Sequence, residues 1–487
     1  MIYELQFSYI RSYGENTNIS FALPTEGKIG LTVLVGKNNA GKSTILRLLS
    51  DAFDDKPNMI FDKLDRNPDN DPDVKIKFSS NDVCCQLKLS KSASAYFKKN
   101  VSNVQDGTNQ SVPGVGTGGG PFVAFVPSRR PWNDSFNSEA KTNLLQFENS
   151  ARASRNPNQL ADLGSQLNSL IASGDKGRFD SLLKAIIPEI NDWTTDRISG
   201  QDKIVYQSKS GVEHAINDSG DGVVSLFRIC HAICKYPPNT PLLLDEPELS
   251  LHPDAQKRLY NLIVKVAQER QVIVSTHSPH FVEWRHIANG AKVCRVAQDD
   301  GGISKIFTPN EESFSNILRF TEEDPKNRKL YDYLAKEMFF QSGIVFLEGQ
   351  EDVHLVSRFM EIQDLDVLPL FSYGAGGSGN IRHLLQLAKE LGLRAAGVYD
   401  GNKVAEYERA RDEFFDSPQI QCFLLNKDDI RDKHKRDGSC DIDGKCQEIE
   451  EISIEGYFDR SWNPKPEAED ELLPLLREIS EHLGEQP

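Results

Sequence analysis

The chain has 487 residues, of which 38% are hydrophobic and 26% are charged, and its formal net charge at pH 7 is −16. This composition predicts a globular protein of two or three domains. It argues against a membrane protein, because no apolar run is long enough to cross a bilayer. The negative charge also argues against a protein that coats nucleic acid generally, although a local basic groove is compatible with it.

The cysteine content and the N-terminal sequence indicate the cellular compartment. The eight cysteines are scattered and show no disulfide framework. The N-terminus reads as a strand and lacks the features of a signal peptide. We therefore expect a protein of the reducing cytoplasm.

The first element with a chemical role is a strand, a loop and a helix near the N-terminus. An apolar strand at Leu31–Val35 precedes the sequence Gly-Lys-Asn-Asn-Ala-Gly-Lys-Ser at 36–43, and an apolar helix follows. In such a loop the backbone N–H groups surround phosphate oxygens, the lysine neutralises them and the serine hydroxyl binds Mg²⁺. The chain is therefore predicted to bind ATP. The candidate residues are Gly36, Asn38, Asn39, Gly41, Lys42, Ser43 and Thr44.

The stretch between this loop and the next motif carries weaker signals. Residues 102–121 are rich in Gly, Ser and Asn and predict a loop. Leucines at helical spacing predict a helical insertion at about 135–215. Arg129 and Arg130, with Trp132, combine guanidinium groups with an aromatic ring and would suit contact with DNA, although an ordinary surface has the same composition.

A second apolar strand ends in two carboxylates. Asp245 would hold the Mg²⁺ shell, and Glu246 would polarise the attacking water. A further strand at 272–275 leads to His277, which is placed to sense the γ-phosphate. The pattern predicts ATP hydrolysis with Glu246 and His277 as catalytic residues, and Ser43 and Asp245 as the magnesium ligands.

In this order, the motifs resemble those of the ABC-type ATPases related to structural-maintenance-of-chromosomes (SMC) and RecF-like proteins, over about residues 1–300. Phe7–Tyr13 resembles the family's opening strand motif, in which Arg11 approaches the nucleotide. The segment 122–130 lies where the family has its Q-loop, although it contains no glutamine.

The same resemblance assigns a signature loop, which lies just before the second strand. It consists of Ser219, Gly220 and Gly222, a phosphate nest by composition. In the family, two heads dimerise face to face and hold each ATP between the phosphate loop of one head and the signature loop of the other. The resemblance therefore implies a homodimer or a higher homo-oligomer.

A smaller alternating unit is predicted after connecting helices at 301–342. One buried strand ends at Glu348, and another ends at Asp400, with Asn402 two residues later. Parallel strands deliver such side chains to one edge of a sheet, where they can bind a metal ion.

This second unit, at about 343–460, is similar to TOPRIM domains, the Mg²⁺-binding units of topoisomerases, primases and some nucleases. The similarity implies a metal site of Glu348, Asp400 and Glu455, with Asn402 in place of the second acid of an Asp-x-Asp motif. Residues 461–487 predict an acidic C-terminal helix. An ABC-type head joined to a TOPRIM-like domain resembles the OLD (overcoming lysogenisation defect) family, which contains defence proteins and many DNA nucleases.

The expected fold class is thus α/β, with an ABC/SMC-like head and a smaller TOPRIM-like domain. Three functions remain open. In the first, the head controls its own TOPRIM-like domain, which acts as a DNA nuclease against phage. In the second, the head controls a separate toxin or nuclease subunit, as in PARIS-like anti-phage systems. A RecF-like repair ATPase without nuclease activity is the third. The acids Glu348, Asp400 and Glu455 favour the first function, and Asn402 favours the second.

Overall fold

The chain divides into two compact units, Met1–Ile306 and Phe307–Pro487. The computed structural model describes residues 1–53, 73–80, 83–91, 97–103, 122–128, 159–198, 201–216, 219–323, 335–371, 373–437 and 450–484. Most of the predicted loop at 102–121, the patch of Arg129, Arg130 and Trp132, and the first part of the predicted insertion lie outside the described residues.

A parallel sheet carries the phosphate loop in the first unit. Its strands, in order across the sheet, are β14 (Ser304–Phe307), β13 (Lys292–Gln298), β3 (Leu31–Val35), β12 (Val272–Ser275), β11 (Leu242–Asp245) and β7 (Ala124–Val126). The strands from β13 to β7 run parallel. β3, β11 and β12 are buried along their whole length, which accounts for their apolar sequences. The carboxyl ends of these strands therefore meet at one edge.

Helices alternate with these strands. They are α1 (Lys42–Ala52), α2 (Gln159–Ala172), α3 (Lys176–Ile186), α4 (Asp221–Lys235), α5 (Pro253–Val266) and α6 (Trp284–Ala288), with a 3-10 turn at Pro279–Phe281. α1 packs against β11 and β12. It begins after Gly41 without a side-chain cap, although the N–H of Thr44 donates to the Gly41 carbonyl oxygen at 3.0 Å, so the helix N-terminus can contribute to binding a ligand in the loop.

A second, antiparallel sheet completes the head. In order across the sheet, its strands are β2 (Thr17–Ser20), β1 (Ile2–Ser8), β4 (Asp73–Ser80), β5 (Val83–Lys91) and β6 (Phe97–Asn103). One hydrophobic core joins this sheet to α1 and to the parallel sheet, with Phe7, Leu46 and Val296 among its members. The opening strand is therefore packed firmly beside the phosphate loop.

The predicted helical insertion is only partly helical. After α2 and α3 the chain forms a three-stranded antiparallel sheet of β8 (Ile190–Ile198), β9 (Gln201–Ser208) and β10 (Glu213–Ala215). The prediction of helix up to residue 215 is wrong for these strands. β8 is rich in Ile and Thr, which favour strands, and its buried Trp193 packs against Phe179 and Phe227, a tertiary contact that overrides helical spacing.

The second unit contains a parallel three-stranded sheet of β15 (Gly343–Phe346), β16 (Arg394–Tyr399) and β17 (Ile420–Leu424). An antiparallel pair consists of β18 (Lys433–Asp437) and β19 (Glu450–Ile454). The helices are α7 (Glu311–Glu323), α8 (Gln350–Ile362), α9 (Ser378–Glu390), α10 (Val404–Glu413) and α11 (Leu473–Leu483), with a 3-10 segment at Ala335–Phe340 and a π turn at Ala468–Leu472.

The expected α/β class is confirmed by this order of strands and helices. Within the ranges given above, no helix has both the length and the apolar character needed to cross a membrane.

Gly36 is the point at which β3 enters the phosphate loop, and its conformation excludes a side chain. Its φ is +137°, and a Cβ there would lie 2.0 Å from the carbonyl oxygen of Val296. Gly36→Ala should therefore lower the free energy of unfolding by at least about 2 kcal/mol, measured by chemical denaturation. Gly174→Ala is the control, because Gly174 also has a positive φ but, in the described part of the chain, no atom beyond its neighbours lies within 4 Å of its Cβ position. It should cost only about 1 kcal/mol, and equal losses would contradict the steric argument.

Candidate nucleotide-binding site

The phosphate loop places a buried ammonium group at its centre. Lys42 is 4% exposed, and its Nζ donates to the carbonyl oxygens of Gly36 and Lys37, both at 2.9 Å. Asn38 and Asn39 lie exposed at the tip of the loop, with Asn39 at a φ of +62°. The loop thus surrounds the ammonium group and leaves its own outer rim open to solvent.

The turn after β1 supports the loop from behind. Nη1 of Arg11 donates to Oγ1 of Thr44 at 3.3 Å, and the hydroxyl of Tyr13 donates to the carbonyl oxygen of Gly41 at 3.1 Å. A Cβ on Gly41 would lie 2.8 Å from the Tyr13 ring. The structure therefore places Arg11 and Thr44 together, beside the phosphate loop.

One carboxylate joins the ends of several strands. Oδ1 of Asp245 accepts from the hydroxyl of Ser43 at 2.8 Å and from that of Ser275 at 2.5 Å, while Oδ2 accepts from Ser128 at 3.1 Å. Sequence reasoning missed Ser128, because no local pattern signals its contact with Asp245. The Ser43 hydroxyl and the Asp245 carboxylate fit a magnesium ion, which prefers oxygen ligands.

The two residues proposed for hydrolysis lie next to each other. Nε2 of His277 is 3.4 Å from Oε1 of Glu246. Glu246 has a φ of +47°, and its N–H donates to the carbonyl oxygen of Ser275 at 2.9 Å, which holds the strained residue against β12. The carboxylate and the imidazole of the sequence prediction are therefore brought together at the carboxyl edge of the sheet.

Glu248 is a further acid of the site that sequence reasoning did not assign. It is 8% exposed, and its Oε1 accepts from Oγ1 of Thr276 and from the backbone N–H of His277, both at 2.7 Å. Burial raises its pKa, and the two hydrogen bonds oppose that shift. The sequence signal was the repeated acid in Asp-Glu-Pro-Glu, which places Glu248 two residues after Glu246.

The signature-loop residues lie at the start of α4. The hydroxyl of Ser219 donates to the carbonyl oxygen of Ala215 at 3.0 Å and is 3.1 Å from the Tyr206 hydroxyl. Among the residues that the structure describes, no atom outside the adjacent residues lies within 4 Å of the Cβ position of Gly220, whereas a Cβ on Gly222 would lie 2.5 Å from the Ser250 carbonyl oxygen. The loop is thus open at Gly220 and closely packed at Gly222.

The second unit brings together only part of the predicted acid set. The backbone N–H of Asp400 donates to Oε1 of Glu348 at 3.0 Å. Burial, and then the neighbouring charges of Glu348, Asp352 and Asp429, raise the pKa of Asp400 to about 8. Burial likewise raises the pKa of Glu348, and it raises that of Asp352 to about 6.

The other two predicted ligands have different contacts. The side-chain amide of Asn402 donates to the carbonyl oxygen of Asp428 at 2.7 Å. The side chain of Glu455 is 76% exposed and lies 3.9 Å from Nζ of Lys427. Across the described parts of the chain, no three His, Cys, Asp or Glu side chains are grouped so that they could hold a metal ion. The TOPRIM-like metal site therefore stays a prediction, of which the described contacts join Glu348 and Asp400.

Comparison with known proteins gives a family match over the middle of the head. Residues 123–283 match the family model "AAA domain, putative AbiEii toxin, Type IV TA system". The OLD nuclease of Thermus scotoductus is 26% identical over 176 residues, which are 35% of this chain and 33% of that protein. The Old nuclease of Escherichia phage P2 is 24% identical over 167 residues, which are 33% of this chain and 28% of that protein. These matches support an OLD-family ATPase.

The part of this chain that matches the family model contains Asp245, Glu246, His277 and the signature loop, whereas the phosphate loop precedes the match. The alignments span about a third of the length of the curated relatives. Solved structures found by fold comparison include the SMC head domain of Thermotoga maritima, with 15% identity, a TM-score of 0.37, and coverage of 63% of this chain and 99% of that one. An Smc head domain bound to a ScpA domain, from Pyrococcus furiosus, has 15% identity and a TM-score of 0.43. The match covers 66% of this chain and 99% of that one.

The electrostatics of the candidate site centre on Lys42. Burial lowers the pKa of Lys42 to about 8, although the nearby carboxylates of Glu246, Asp245 and Glu248 act in the opposite direction. Phosphate groups of a bound nucleotide would add negative charge beside the ammonium group and raise its pKa again. Binding should therefore be coupled to proton uptake whenever the free protein has lost this proton.

This coupling predicts how ATP affinity depends on pH. Because the pKa of Lys42 in the free protein is about 8, affinity should fall by up to about tenfold per pH unit above that value, with uptake of a proton on binding. Isothermal titration calorimetry between about pH 7 and 9.5, in buffers of different ionisation enthalpy, measures both quantities. Lys42→Arg is the control, because its guanidinium stays charged. An affinity of the wild-type protein that is flat over this range would contradict the prediction.

Proposed function

We propose that this chain is a Mg²⁺-dependent ATPase of the OLD type, acting in the cytoplasm. The observation that carries the proposal is the convergence of Lys42, the Ser43–Asp245 pair and the Glu246–His277 pair at one edge of a parallel sheet. A strand-loop-helix phosphate site and an adjacent carboxylate pair are together what phosphoryl transfer to water requires.

Each side chain has a distinct part in the proposed reaction. Lys42 neutralises phosphate oxygens, and Ser43 with Asp245 would hold Mg²⁺, which supplies positive charge to the β- and γ-phosphates. Glu246 polarises the attacking water as a general base. His277, 3.4 Å from Glu246, orients that carboxylate and contacts the γ-phosphate.

The signature loop would act across a dimer of heads. Gly220 is the residue before α4, at φ −58° and ψ 146°, with open space beside its Cα. The first N–H groups of α4 suit a phosphate group approaching from outside the subunit. A second copy of this chain, bringing its own ATP, is the partner that the proposal assigns to this surface.

The proposed biological role is control of an effector in anti-phage defence. The support is the resemblance of the head to proteins named OLD nuclease. In this chain the Glu455 side chain is largely exposed, the Asn402 amide is engaged with Asp428, and the N–H of Asp400 donates to Glu348. These contacts favour a separate toxin or nuclease subunit as the effector over DNA cleavage by the second unit.

ATP-dependent dimerisation tests the head mechanism. Glu246→Gln should bind ATP but slow hydrolysis by at least about a hundredfold, so that a dimer accumulates in size-exclusion chromatography with light scattering. Adding Gly220→Ala should leave the thermal melting temperature unchanged, because the site is open, and yet prevent the dimer by placing a methyl group where the second ATP would approach. A dimer that forms equally well with and without the Gly220→Ala substitution would contradict the proposed role of the signature loop.

A cleavage assay tests the assignment of the effector. Supercoiled plasmid and linear DNA should remain intact with Mg²⁺ or Mn²⁺, with and without ATP, while the same preparation hydrolyses ATP. Asp400→Ala and Glu348→Ala should not change either result, and Glu455→Ala serves as an exposed control. Cleavage by the wild-type protein that is lost in the Asp400 and Glu348 variants would show that the second unit is itself a nuclease.

A further inference from the structure

The short segment Thr276–Ser278 carries His277, and it is held by side chains from one neighbouring stretch of chain. Thr276 and the backbone N–H of His277 both donate to Oε1 of Glu248, at 2.7 Å. The Ser278 hydroxyl donates to Oε1 of Gln256 at 2.7 Å. Every residue of the segment is therefore tied to the chain that follows the Asp245–Glu246 pair.

Gln256 has a second contact, which connects this segment to a loop. Its Nε2 donates to the carbonyl oxygen of Leu251 at 2.9 Å. The amide thus uses its acceptor end on Ser278 and its donor end on Leu251, so a side chain without both functions cannot replace it.

The loop at Leu251 lies directly under the signature loop. A Cβ on Gly222 would lie 2.5 Å from the Ser250 carbonyl oxygen and 2.8 Å from Cδ2 of Leu251. Ser250 has a φ of +60°, so this loop has a tightly defined backbone. A displacement at the start of α4 therefore acts on the loop, and through Gln256 on Ser278.

We propose that Gln256 and Glu248 are positioning residues for hydrolysis. Glu248 fixes the backbone at His277, and Gln256 connects the His277 segment to the loop under the signature residues. Engagement of the signature loop by a second head is transmitted along this path and sets His277 against Glu246. The inference rests on the proposed ATPase function and adds residues that act on hydrolysis without contacting the nucleotide.

An isosteric change at Gln256 separates the two ends of its amide. Gln256→Glu keeps an acceptor for Ser278 but places an oxygen against the Leu251 carbonyl oxygen, where a donor stood. We expect kcat for ATP to fall by about tenfold, the effect of losing one neutral hydrogen bond in the transition state. The Kd for a non-hydrolysable ATP analogue should stay within about twofold. Gln268→Glu, at an exposed site shortly after the same helix, carries the same charge change and should leave both values unaltered.

A double-mutant cycle tests whether Gln256 and Ser278 affect hydrolysis through the same hydrogen-bonded connection or independently. Ser278→Ala removes the other end of the connection and should lower kcat to a similar extent. The double variant Gln256→Glu with Ser278→Ala should lose no more than the worse single variant, because both changes break the same path. The thermal melting temperature of every variant is recorded. If Gln256→Glu does not fold, the loss of kcat in Ser278→Ala tests the proposal by itself.

The contrary outcomes are specific. An unchanged kcat in Gln256→Glu, a Kd that rises in parallel with the loss of kcat, or additive losses in the double variant would each overturn the positioning role. In all three cases the wild-type protein still hydrolyses ATP, and the proposed function stands. A wild-type protein without ATPase activity would overturn both.

Discussion

The carboxylate of Asp245 accepts hydrogen bonds from three hydroxyl groups that lie at or beyond the carboxyl ends of other strands of the same sheet. Ser43 follows β3, Ser128 follows β7 and Ser275 ends β12, so one side chain ties four strand ends together. The parallel order of the sheet is what allows this, because only parallel strands end at a common edge. The phosphate loop, Glu246 and His277 take their positions from this edge.

Charge balance at that edge explains the expected need for magnesium. The buried ammonium group of Lys42 faces the carboxylates of Asp245, Glu246 and Glu248, so the site already holds more acids than bases in its immediate surroundings. ATP brings further negative charge. A divalent cation between Ser43, Asp245 and the phosphates offsets this repulsion, whereas Lys42 alone would not. Burial lowers the pKa of Lys42, whereas the excess of carboxylates acts in the opposite direction and creates the need for the cation.

The fold of the head and the positions of its main motifs could be predicted well because local sequence patterns indicate them. The loop at 36–43 and the acids at 245 and 246 follow apolar strands directly, so sequence order alone placed them at a sheet edge. Ser128 lies 117 residues from Asp245 along the chain, and no local pattern signals such a contact. The strands at 190–208 depend on packing around Trp193 and were predicted as helix. Glu455 follows β19, which belongs to a separate antiparallel pair, so the alternation of parallel strands does not fix its position relative to Glu348 and Asp400.

The measurement that tests the account most directly is the rate of ATP hydrolysis as a function of protein concentration. If each ATP site is completed by the signature loop of a second head, the hydrolysis rate per subunit should rise with protein concentration. It should level off when nearly all subunits are in dimers. The half-maximal concentration should coincide with that of ATP-dependent dimerisation. A rate per subunit that stays constant from well below to well above that concentration would contradict the account, because each head would then hydrolyse ATP alone.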